Sequence, residues 1–157
     1  MKMAGKVNKL NSDFGEGLSE MVDWVAAQDG VKGLVIGTGH KDFCVGADID
    51  MLYLAQDPKF FLEGVLNLTR LYRKIETLPF PVVAALTGSA LGGGYELALS
   101  CHHRVALNSF GVQVGLPECM IGVFPGAGGT QRLPRMIGVQ SSLEYICLLY
   151  TSDAADE

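Results

Sequence analysis

The chain has 157 residues, 48% hydrophobic and 18% charged, a composition that fits one globular domain with a sizeable core. Its 12 basic and 17 acidic residues give a net charge of −5 with no basic run, so the footprint of a nucleic-acid binder is missing. No apolar stretch approaches the roughly 18–20 residues needed to cross a bilayer, and residues 1–14 lack the apolar centre of a secretory signal.

In chain order, Ser12 is placed to cap a helix whose apolar positions Phe14, Leu18, Met21, Val22, Val25 and Ala26 lie on one face, with Asp29-Gly30 ending it. Gly33-Leu34-Val35-Ile36 is a short, nearly continuous apolar run, the pattern of a strand buried on both faces. Residues 37–42 turn the chain into a loop, Phe43-Cys44-Val45-Gly46-Ala47-Asp48-Ile49. A second helix fits Pro58 to Glu76, with Phe61, Val65, Leu68, Tyr72 and Ile75 on one face, and Pro79 and Pro81 stop it. Val82–Leu86 reads as another buried strand, leading through Thr87-Gly88 to Gly92-Gly93-Gly94. A short helix over Tyr95–Leu99 follows, then strands at Arg104–Leu107 and Val112–Val114, and helices at Gly128–Met136 and Gln140–Cys147. Apolar strands alternating with helices predict an α/β fold with parallel strands. Residues 148–157 carry no periodicity and interrupt a helical pattern, so they are read as a non-native tail on a single domain spanning 1–147.

The chemistry concentrates in two glutamates set close to glycine-rich loops. Glu96 follows Ser89–Tyr95; Glu118 sits in Gly115-Leu116-Pro117-Glu118, ahead of Pro125-Gly126-Ala127-Gly128-Gly129-Thr130. Two carboxylates can transfer protons, and two bare stretches of backbone N–H can hold an oxyanion. None of the loops is a dinucleotide or phosphate motif. The last glycine of G-x-G-x-x-G is replaced by Asp42, Leu97 and Gln131 in turn, and none ends in Lys-Ser/Thr. Gly93, opening a helix, and the Ala47 region are the paired N–H donors this reading favours. Taken singly, each feature has a plainer explanation: turn geometry for the glycines, dipole stabilisation for Glu96, a solvated loop for Glu118, and backbone capping for Asp48. Cys44, Cys101, Cys119 and Cys147 show no C-x-x-C spacing and read as reduced thiols of a cytoplasmic or matrix-like compartment. His102-His103 beside Cys101 is read as a strand start, because adjacent ligands rarely converge on one metal.

These residues resemble the crotonase, or enoyl-CoA hydratase/isomerase, superfamily. The resemblance covers residues 5–147 and rests on 43–49, on Ala90–Ala98, and on Leu116-Pro117-Glu118 with Pro125–Leu133. Within the superfamily, Gly5–Asn11, Cys101–Ala106 and Leu133-Pro134-Arg135 look most like the hydratase part of multifunctional fatty-acid oxidation α subunits. There a hydratase domain is fused to an NAD-dependent 3-hydroxyacyl-CoA dehydrogenase. The resemblance implies a spiral of ββα turns acting on a CoA thioester, with no cofactor in this domain. It places the N–H groups of Ala47 and Gly93 on the thioester oxygen and makes Glu96 and Glu118 the catalytic pair of a trans-2-enoyl-CoA hydratase. Glu96 activates water and Glu118 protonates C2. It assigns Val45, Gly46, Ala47, Asp48, Ile49, Gly92, Gly93, Pro117 and Gly126 to substrate binding, with Val7 and Leu10 as weaker members. Relatives form trimers or dimers of trimers, or assemble with a thiolase.

The sequence departs from the family pattern in three places. Cys44 stands where serine or alanine is commoner, the opening strand before Asn11 is missing or lies upstream of Met1, and the closing helices are replaced after Cys147. The expectation is a crotonase-type spiral truncated at both ends. The alternatives are another crotonase-type reaction, hydrolysis or decarboxylation, and a non-catalytic CoA-ester-binding fragment.

Overall fold

A computed structural model describes residues 1–54, 57–147 and 149–150. Among the described residues the helices are α1 (Ser12–Ala26), α2 (Ile49–Leu54), α3 (Pro58–Glu76), α4 (Gly93–Ser100), α5 (Gly129–Ile137) and α6 (Val139–Cys147). The strands are β1 (Leu34–Ile36), β2 (Val82–Leu86), β3 (Ala90–Leu91), β4 (His103–Ala106), β5 (Val114–Gly115) and β6 (Leu149–Tyr150), and a 3₁₀ helix covers Pro117–Ile121. One parallel sheet runs β1-β2-β4, with Leu34 opposite Val82 and Val83 opposite His103. A second runs β3-β5-β6, in which β3 and β5 are parallel and β6 is antiparallel to β5.

Each strand of the first sheet feeds a short extended piece of the second, and then a helix. β2 is followed by β3 and α4, and β4 by β5 and the 3₁₀ helix. β1 is followed by an extended piece at Cys44, which bridges in parallel to Ala90, and then by α2 and α3. This is the ββα spiral that the family resemblance implies. Residues 148 and 151–157 of the supposed tail lie outside the described residues.

Local chemistry explains most elements. Asn11, not Ser12, is the cap of α1: its side-chain oxygen accepts the Phe14 N–H at 3.0 Å. Phe14, Leu18, Val22 and Val25 form its buried stripe. Asp57 caps α3 through the Lys59 N–H, with Pro58 in the first turn. The expected apolar face of α3 is only half used. Leu71, Tyr72 and Ile75 are buried, whereas Phe61 is 39% exposed, because only the C-terminal half of α3 lies on the core. β1 is likewise not buried on both faces. It is an edge strand, and Val35 is 67% exposed. The largest fully buried side chains, Tyr72, Phe43, Ile75, Leu97, Leu99, Leu116 and Leu133, come from α3, α4, α5 and the connecting loops, so the core lies directly behind α4.

Candidate active site

The site is built around the start of α4. The helix begins at Gly93, two residues earlier than its side chains suggest, because Gly92 takes φ 53°, ψ −131° as the residue before it. That conformation suits only glycine. The Gly92 N–H goes to the Gly115 carbonyl at 2.9 Å and the Leu91 N–H to the Cys44 carbonyl at 2.9 Å, which fixes the turn between two neighbouring strand segments. A Cβ on Gly94 would overlap the Cys44 carbonyl, so a glycine is needed for the loop to approach α4 this closely. The Gly93 carbonyl accepts the buried Tyr72 hydroxyl at 2.8 Å.

Residues 43–48 lie alongside. Leu10 N–H donates to the Gly46 carbonyl at 2.8 Å and Asp48 N–H donates to the Leu10 carbonyl at 2.9 Å, a parallel bridge that turns the Ala47 N–H away from Leu10. Gly93, as the first residue of α4, has an N–H without a partner inside the helix. Among the described residues neither the Ala47 nor the Gly93 N–H has an acceptor. Asn8, fully buried, orders the loop from behind: its amide donates to the Phe43 carbonyl at 2.9 Å and to the Thr38 hydroxyl at 3.0 Å.

Glu96 is 2% exposed. It sits in the first turn of α4, yet its carboxylate does not serve that helix. Oε1 accepts the Ala127 N–H at 2.9 Å and the Gly129 N–H at 2.7 Å, from the loop more than thirty residues on. Two N–H groups of the Pro125–Thr130 loop are thus spent on Glu96. Burial raises the Glu96 pKa, and those two bonds and Arg132 oppose the rise.

Glu118 approaches from the first turn of the 3₁₀ helix. Its Oε1 lies 3.0 Å from where a Cβ on Gly92 would stand, and Glu96 Oε2 lies 3.7 Å from the corresponding point on Gly93. The two carboxylates therefore flank the Gly92–Gly93 step. Glu118 is half-buried rather than solvated, and its Oε2 is buried with no hydrogen-bond partner among the described residues. Its pKa is pushed up to about 7, chiefly by burial and further by the charge of Glu96, against its own backbone N–H. One carboxylate is fixed in place by two N–H bonds at Oε1; the other, with its pKa of about 7, is poised to carry a proton at neutral pH.

The remaining sequence candidates divide. Leu10 is buried, and its Cδ1 occupies the space a Cβ on Gly93 would need, so it packs at the centre of the site. Val45 and Val7 are half-buried, and Pro117 opens the 3₁₀ helix beside Glu118. Asp48 pairs with Lys9 at 2.6 Å, which chiefly holds its carboxyl below the usual range, helped by the N–H groups of Asp50 and Met51 that donate to it. Ile49 is 62% exposed and begins α2, a helix the sequence pattern did not signal. Gly126 faces α3, near Val65, with its carbonyl accepting from Thr69 at 3.4 Å. Cys44 is fully buried, and burial pushes its thiol up to about 11. His102 Nδ1 accepts the Val82 N–H at 2.9 Å, which gives that ring a place in the sheet. Two shallow clefts, one at Phe80 and His102 and one between α3 and α5, lie away from the paired carboxylates.

Sequence reasoning missed Ala127, Gly129, Asn8, Tyr72 and Arg132. Glycine spacing marked the 125–130 loop, but no local signal paired it with Glu96.

A family model described as enoyl-CoA hydratase/isomerase matches residues 1–157. The fatty acid oxidation complex subunit alpha of Shewanella loihica is 44% identical over 139 residues, 88% of this chain and 20% of that protein. That of Aliivibrio fischeri is 43% identical over 143 residues, 90% and 21% of the two chains. Among solved structures, an enoyl-CoA hydratase from Bacillus anthracis superposes with a TM-score of 0.85 at 35% identity, covering 96% of this chain and 58% of that one. One from Thermoplasma volcanium gives 0.88 at 30%, with 98% and 62% covered. The chain thus spans about a fifth of the curated relatives and about three fifths of the solved hydratases.

Proposed function

Since this chain belongs to the enoyl-CoA hydratase/isomerase family, we propose that its paired carboxylates serve the hydration of a trans-2-enoyl-CoA to a 3-hydroxyacyl-CoA. One observation carries the reading: Glu96 and Glu118 flank Gly92–Gly93 from different elements, one bonded to two N–H groups and the other with a buried, unpartnered oxygen.

The thioester carbonyl lies against the N–H groups of Ala47 and Gly93. Water held by the two glutamates bonds through oxygen to C3, and one of its protons passes to Glu96. The C2=C3 π electrons move onto the thioester oxygen, giving an enolate that the two N–H groups stabilise. Removing one such donor typically costs about 10²–10³ in rate. The enolate collapses as C2 takes the proton of Glu118. Water has then been added across C2=C3, and the proton gained by Glu96 balances the one lost by Glu118. Glu118 suits the donor role because its pKa of about 7 leaves it largely protonated below neutrality. The same group, moving a proton at C2, also suits Δ3-Δ2-enoyl-CoA isomerisation.

Val7, Leu10, Val45, Gly46, Ala47, Asp48, Ile49, Gly92, Gly93, Pro117 and Gly126 are taken as the substrate-binding residues. Placement in fatty-acid β-oxidation rests on similarity to the oxidation-complex α subunits. So do a cytoplasmic or matrix-like location, assembly as a homotrimer or hexamer or, in a multifunctional parent, with a thiolase, and NAD as the cofactor of a dehydrogenase part outside these residues.

The test is Glu118→Gln. Hydration falls by at least about 10²-fold, while calorimetric binding of a saturated acyl-CoA is retained. Undiminished turnover refutes the assignment.

A further inference from the structure

The turn that holds Glu96 is itself held from behind. Arg132, on α5 and only 11% exposed, donates from Nη1 to the Ala127 carbonyl at 2.8 Å. Its Nη1 fills the space that a Cβ on Gly128 would need. The same guanidinium reaches Glu76, at the end of α3, through Nε and Nη2 at 3.4 Å each.

Distances decide what this arginine is for. Glu76 already has a closer partner in Arg73, at 2.7 Å, so neutralising Glu76 does not require Arg132. The short bond goes to the turn, and the long contacts to Glu76 orient the fork. Glu96 pulls on the 127–129 turn from one side and Arg132 from the other.

We infer that Arg132 is a positioning residue for Glu96: it clamps the Ala127–Gly129 turn and keeps both N–H donors on the carboxylate. The inference rests on the reading of Glu96 as the base, and it adds a cation to the groups that govern its charge. Three ionisable groups interact electrostatically with Glu96: Arg132 from α5, which opposes the rise in its pKa, and Glu118 from the 3₁₀ helix and Tyr72 from α3, whose own pKa values the Glu96 charge raises. Arg132 alone is positive and favours the carboxylate form.

The test uses the full chain carrying Arg132→Met or Arg132→Lys, with amide hydrogen exchange and ¹³C titration of the glutamate carboxyls. In Arg132→Met, exchange at Ala127 and Gly129 accelerates about 10-fold or more while β2 amides are unchanged. Glu96 titrates at higher pH than in the parent chain. The acid limb of the kcat profile for trans-2-enoyl-CoA hydration moves the same way, with KM within about twofold, because positioning acts on the chemical step. Arg132→Lys keeps the charge, so it restores the titration while leaving exchange at Ala127 faster than in the parent. Parent-like exchange and titration in Arg132→Met overturn the inference, and if that variant does not fold, parent-like exchange in Arg132→Lys does so. Exchange and titration need no turnover. A parent chain without hydratase activity therefore refutes the proposed reaction and still leaves the clamp tested.

Discussion

The two bonds from Ala127 and Gly129 to Glu96 Oε1 separate the structural role of this residue from its chemical one. Glu96→Gln keeps a carbonyl-type oxygen at Oε1 and so keeps both bonds. Glu96→Ala removes the acceptor and leaves two buried donors without partners. Each orphaned buried donor costs about 1–3 kcal/mol, giving about 2–6 kcal/mol for the pair. Part of that is offset, because a buried carboxylate whose charge is disfavoured disappears as well. A net loss of about 3 kcal/mol lowers Tm by about 6–12 °C for a chain of this size. Glu96→Gln should stay within about 2 °C of the parent chain and yet lose hydration by about 10²-fold or more. Calorimetry paired with an enoyl-CoA hydration assay measures both. Equal destabilisation in the two variants refutes the reasoning, since it means Oε1 does not satisfy those donors. Full activity in Glu96→Gln refutes its role as base.

Three further outcomes follow from particular contacts. Burial lifts the Glu118 pKa from its ordinary 4.5 to about 7 in the folded chain, so ionisation costs the folded state more than the unfolded one. Its contribution is fully present below about pH 4.5 and lost as pH rises through about 7; Glu118→Gln should therefore raise Tm by about 2–4 °C at pH 8 and hardly change it at pH 4.5, and a pH-independent difference contradicts the burial argument. Tyr72→Phe leaves the Gly93 carbonyl without the hydroxyl that reaches it at 2.8 Å; urea unfolding should show a loss of about 1 kcal/mol, and none at all would mean that bond is not formed. Gly88→Ala puts a Cβ into the Lys41 carbonyl and 2.8 Å from Asp42 Cα, both backbone; soluble yield should fall sharply, with more than about 3 kcal/mol lost in any folded fraction.

Local patterns carried the α/β elements and the family resemblance carried the spiral, but neither carried the way its pieces grip one another. The repeating stripe of α1, the apolar run of β2 and the glycine loops are local signals, readable because period and turn chemistry act within a few residues. The exposed half of α3 and the open face of β1 were misread because burial depends on which neighbour arrives, and apolar side chains do not announce that. α2 was missed because its six residues are too few to show a period. Glu96 and Glu118 were identified as a pair from motif order, whereas the N–H groups that hold Glu96 belong to a turn 31 and 33 residues later. Such a pairing is a product of the tertiary fold, and no spacing rule within either segment encodes it.

Asn8 has a consequence for how the molecule is assembled. Its side chain joins the start of the chain to residues 30 and 35 positions away, and the loop it fastens is tied onward to Ser89, Leu91 and Leu10. Contacts of such sequence separation must close large loops before they return any stabilisation, which places them late on the folding path. The backbone around Ala47 therefore acquires its shape together with the molecule as a whole and not as an autonomous turn. Loosening it requires a cooperative opening, so the amides of residues 43–46 should exchange at a free energy close to that of complete unfolding.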